Sequence, residues 1–126
     1  MKTVTTIARY LLGIVFVVFS LNFWFKFIPL PTPEEGSQAA TFMGLMIGSG
    51  YLVVVKVLEL LGGVLLLVGR YVNLGLALLG PIVVNICLYH IFVLKGGYPM
   101  AVLVAVLAVV ALAGRRDFIN SLMAPK

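Results

Sequence analysis

Charge-free stretches govern what this chain can fold into. They run from Tyr10 to Phe25, Gly36 to Val55, Tyr71 to Leu94 and Gly96 to Gly114. A further run, Leu60 to Gly69, is parted from its predecessor only by the segment carrying Lys56 and Glu59. A helix needs about 20 mostly apolar residues to cross the hydrocarbon core, so spans are expected at roughly 7–27, 51–68, 72–94 and 99–113. With 63% of its 126 residues hydrophobic and 10% charged, the chain is far more apolar than a soluble domain. Four spans use most of it as one domain, residues 1–126. The expected fold is all-α, an integral membrane four-helix bundle with the lipid bilayer as its first partner.

Basic residues set the expected orientation. Lys2, Arg9, Arg70, Arg115, Arg116 and Lys126 fall on one side of this layout, while Lys26 and Lys95 accompany Glu34 and Glu35 on the other. Lys and Arg favour the cytoplasmic side, which predicts cytoplasmic N and C termini. The net charge of +5 is scattered over span ends without a long basic run, so nucleic acid is not an expected partner. The first span is expected to stay uncleaved, because VFSLNFWF lacks small residues at the paired positions a signal peptidase needs.

Between the first two spans, Pro29, Pro31 and Pro33 oppose helix and predict an extended loop. The following AATFMGLMIGSG is too short to span and predicts a short interfacial helix ending at Gly48-Ser49-Gly50. Its Gly44 and Gly48 form a GxxxG pair, a pattern that lets helices approach closely. GRYVN makes spans two and three antiparallel neighbours. Within span three, Pro81 removes a donor and predicts a kink.

Single copies exclude several chemistries. One cysteine, Cys87, rules out an internal disulfide or a CxxC redox pair and reads as packing. One histidine, His90, cannot supply both axial ligands of a haem. No metal site and no covalently bound cofactor are expected, and no residue is assigned a catalytic role.

The polar residues inside the spans remain. Lys56 and Glu59 are three apart and touch on one helix face. Charges inside the membrane cost several kcal/mol unless paired or hydrated, which marks them as a functional-site hypothesis; a mutually neutralising structural pair is the alternative. Counting about 1.5 Å per residue from the inner span ends, Glu59 sits about 15 Å up, Lys56 and Asn85 about 20 Å, and Tyr89 and His90 about 27 Å. A helical wheel puts Asn85 and Tyr89 on one face and His90 well around from Asn85, while Asn22 and Lys26 reach the same outer level from span one. The candidate ligand-binding set is therefore Lys26, Lys56, Glu59, Asn85, Tyr89 and His90, beside the aromatic cluster FWFKF. This set could line a pocket between spans one, two and three for a flat lipophile with carbonyl or hydroxyl groups, a quinone being the obvious class.

The segments ARYLLGIVFVVFS, with Arg9 and Gly13, KVLELLGGVLLLVGR, with Glu59, Gly62 and Gly63, and LGPIVVNICLYH, with His90, together with Lys26, resemble the DoxX family of small four-helix bacterial membrane proteins. The resemblance implies a multi-pass protein of the inner membrane associated with oxidoreductase assemblies. Joined to the Lys56/Glu59 pair and the aromatic outer cluster, it suggests a quinone- or lipophile-binding accessory subunit with an oxidoreductase partner. Two other readings are a non-catalytic scaffold or assembly factor, and a small transporter, which would need homo-oligomerisation to build alternating access.

Overall fold

The computed structural model describes residues 2–29 and 32–125. Leu30 and Pro31, in the proline-rich loop, and Lys126 lie outside that range. The described residues form helices and turns without strands. The helices are α1 (Lys2–Phe25), α2 (Gln38–Gly48), α3 (Tyr51–Val68), α4 (Val72–Leu88), α5 (Tyr98–Ala113) and α6 (Arg116–Met123). A π-helical turn, Tyr89–Leu94, continues α4.

Three of these are long and apolar enough to cross a membrane: α1, α3 and the continuous Val72–Leu94 helix. α5, with 16 residues, reaches only about 24 Å and completes the bundle as a fourth apolar wall. α1 and α4 each pack against both α3 and α5, giving the cyclic order α1, α3, α4, α5. The core contains Leu12, Phe16, Leu66, Leu76, Leu79, Val83 and Val104. Outward faces are equally apolar, with Val54, Leu61 and Val68 exposed on α3, as suits a helix whose outer neighbour is lipid.

Close approach is made possible by glycines. A Cβ on Gly63 would lie 2.9 Å from Val17 Cγ2 of α1, and one on Gly62 2.7 Å from Leu79 Cγ of α4. These neighbouring glycines thus let α3 lie against two partners at once. Gly44 and Gly48 of α2, in contrast, face open space, with nothing within 4 Å of where a Cβ would stand, so their GxxxG spacing brings no described helix close.

Helix limits match the expected spans to within one residue for α3, the extended α4 and α5, whereas α1 begins at Lys2, ahead of the expected residue 7, and also ends early. That helix stops at Phe25, two residues short of the expected limit, because Lys26 adopts a left-handed conformation with φ 52°. The buried Asn22 carboxamide then grips Ile28, accepting from its N–H at 2.7 Å and donating to its carbonyl at 3.2 Å. Pro81 sits inside α4 and the helix continues through it. α geometry gives way after Leu88, in the π-helical turn.

A sixth helix follows the last apolar one. α6 turns 89° from α5, and the bend is tied to the bundle by Arg115 Nε donating to Asn73 Oδ1 at 2.8 Å.

Candidate functional site

On α3, the wholly apolar outward face leaves the polar residues directed toward the bundle. Glu59 is 4% exposed, and Lys56 Nζ lies 3.3 Å from its Oε2. The i,i+3 spacing makes this contact local to one helix.

The opposing wall comes from α4 and its extension. Asn85 Nδ2 donates to the Pro81 carbonyl at 3.0 Å, which leaves the amide oxygen as an acceptor. A π-helix is wound with i→i+5 hydrogen bonds, and His90, in its first turn, lines the same cavity as Asn85 and Tyr89. His90 Nδ1 lies 2.8 Å from the Gly96 carbonyl. A carbonyl only accepts, so Nδ1 carries the proton, and Nε2 of the neutral ring is an acceptor. The Tyr89 ring packs 5.4 Å from those of both Phe42 and His90.

These side chains line a cavity of about 660 Å³, a size within the usual range for small-molecule sites. Five of the six residues singled out in the sequence meet here: Lys56, Glu59, Asn85, Tyr89 and His90. Lys26 does not line it, and neither do the aromatic residues of FWFKF. The reason lies in the chain path: α1 ends before Lys26, whereas α2 folds back against α3 and the π-helical turn. The cavity therefore lies among α2, α3 and the α4 extension, with α2 replacing span one as its third wall.

α2 contributes Phe42, Met43 and Met46. Their i, i+1, i+4 spacing is a helical-face signal that sequence reasoning did not use. Methionine and aromatic side chains give an adaptable apolar lining. Tyr51 and Phe92, also in the wall, are 63% and 64% exposed, so the cavity reaches the surface along an aromatic rim. The wall thus combines ammonium, carboxylate, amide, phenol and imidazole groups with a mainly apolar interior.

A second, apolar cavity of about 480 Å³ lies chiefly between α4 and α5. Cys87 lines it, with Sγ 4.0 Å from the Ala101 carbonyl, a packing position between helices.

No curated protein and no solved structure matches the chain. The family model described as DoxX matches residues 4–95, covering α1 through the π-helical turn and every residue of the cavity wall. An all-helical membrane architecture and a match over well more than half its length agree: the chain belongs to the DoxX family.

Proposed function

We propose that this protein is a lipophile-binding accessory subunit of a membrane oxidoreductase, with the cavity among α2, α3 and the α4 extension as its ligand site. The observation that carries the reading is the convergence of five polar side chains, from the facing helices α3 and α4 with its extension, on one cavity with apolar walls. Apolar walls favour a flat ring system, while Lys56, Asn85, Tyr89 and His90 offer hydrogen bonds to its carbonyl or hydroxyl groups. Quinone is the ligand class that best fits those requirements. The exposed aromatic rim favours access from the bilayer.

The cavity wall holds donors, acceptors and two groups able to carry a proton, the Glu59 carboxylate and the His90 imidazole, but it is no electron source. A partner subunit supplies electrons in this reading. The basic residues at one end of the bundle support cytoplasmic termini, and membership of the DoxX family supports an inner-membrane location.

Mass spectrometry of lipophiles extracted from the purified protein tests the proposal, with a Lys56→Met, Glu59→Gln double variant run beside it. A stoichiometric quinone or similar polar-headed lipophile, lost in the folded variant, is the expected result. An equal lipid complement in both proteins would oppose it. The competing scaffold reading draws on the direct Lys56–Glu59 contact, which can serve packing without a ligand, and it predicts that equal complement.

A further inference from the structure

The end of the bundle opposite the cavity rim carries a feature that lipophile binding does not use. α6 lies across the bundle end, 89° from α5. Its sequence, RDFINSLM, puts Phe118, Ile119, Leu122 and Met123 at i, i+1, i+4 and i+5, one helical face. Phe118 packs against the bundle core. Leu122 and Met123 remain 64% and 79% exposed.

The helix is held in this attitude. Besides the Arg115–Asn73 hydrogen bond, Gly114 lies so close to α1 that a Cβ there would come 2.7 Å from Thr5 Cβ. A helix held perpendicular to the spans at their ends lies along the membrane surface.

Charge identifies what meets that surface. Lys2, Arg9, Arg70, Arg115 and Arg116 share this end with a single acid, Asp117. Among the described residues the ion pair Lys56–Glu59 is the one recorded, so these cations have no described carboxylate within 4 Å. Arg9 Nε is buried without a hydrogen-bond partner among the described residues.

We propose that α6 is an interfacial membrane helix that seats Leu122 and Met123 in the headgroup boundary and, with the surrounding basic residues, binds anionic phospholipid headgroups. An amphipathic helix parallel to the surface gains from apolar burial and from attraction to anionic lipid together. Each basic residue near an anionic surface strengthens that attraction by roughly fivefold.

The test is amide hydrogen exchange of the full chain in nanodiscs of phosphatidylcholine and in nanodiscs containing phosphatidylglycerol. Amides of 116–123 should exchange several-fold more slowly in the anionic discs at low salt. An Arg70→Gln, Arg116→Gln variant, which spares the Arg115–Asn73 bond, should lose most of that difference. A Leu122→Glu, Met123→Glu variant should exchange faster in α6 in both discs, with α1–α5 unchanged. Equal exchange of wild-type α6 in the two discs would overturn the headgroup assignment. Rapid exchange in both would overturn membrane seating altogether and leave the apolar edge to a second copy or a soluble partner.

Discussion

Lys56 and Glu59 form an ion pair with unequal burial: their side chains are 20% and 6% exposed, with Nζ 3.3 Å from Oε2. The ammonium is the partner nearer open space, while the carboxylate is held in the bundle. Removing one partner should therefore be worse than removing both. Lys56→Met alone leaves a buried carboxylate and should cost about 3–5 kcal/mol. The Lys56→Met, Glu59→Leu double variant should recover much of that loss. Reversible unfolding in mixed micelles checks this; a double variant less stable than either single would contradict it.

Glycine substitutions should separate contacts that build the bundle from spacing that merely resembles them. At Gly63 a Cβ would meet Val17 and also the Gly13 backbone carbonyl at 3.1 Å, an obstacle that cannot rotate away. Gly63→Ala should destabilise by about 1–3 kcal/mol. Gly44→Ala faces open space and should be neutral or stabilise α2 by up to about 1 kcal/mol. The same unfolding assay distinguishes the two.

The spans and the Lys56–Glu59 contact are legible in the sequence because both depend on local spacing: charge-free runs in one case, three residues of helix in the other. Lys26 lies away from its expected place because its position depends on a left-handed turn and the Asn22–Ile28 clamp. A wheel drawn at α-helical pitch likewise turns His90 away from Asn85, yet both line the cavity, whose wall takes in much of the helix circumference from Ile82 to Val93. The third cavity wall depends on where α2 folds back, a long-range contact; the Phe42, Met43 and Met46 spacing marks a packing face on α2 but not the partner it meets. α6 is overshadowed in the sequence by stronger apolar runs, although its four apolar residues share a face.

Because α2 forms a cavity wall, its N-cap is expected to matter for ligand retention. Ser37 Oγ accepts from the Ala40 N–H at 3.1 Å. Ser37→Ala should weaken the helix by about 1 kcal/mol and release bound lipophile more readily during detergent washing. Ser37→Asp, which can replace the acceptor, should restore retention. Comparable retention in all three proteins would separate the cap from the site.

Asn22 should act on the turn after α1 without disturbing the cavity. Its carboxamide makes both hydrogen bonds to Ile28 while only 5% exposed. Asn22→Leu leaves those two backbone groups without their partner, at a cost of about 1–3 kcal/mol each if they stay buried. Faster exchange of the Ile28 amide, with α3 and α4 unchanged, is the expected signature. Unchanged exchange at Ile28 would show that the clamp contributes little.

His90 ties the cavity to the turn that closes its outer end. The Nδ1–H bond to Gly96 fixes one tautomer, and Gly97, at φ 65°, passes so close that a Cβ would lie 3.0 Å from the His90 ring. Alanine at 97 would combine left-handed backbone strain with displacement of the imidazole. Nitrogen NMR of wild-type protein should show the neutral ring protonated at Nδ1, and Gly97→Ala should perturb that signal and reduce lipophile retention together. A shifted imidazole signal with full retention would mean that His90 braces the turn rather than holding the ligand, leaving Lys56, Asn85 and Tyr89 to do so.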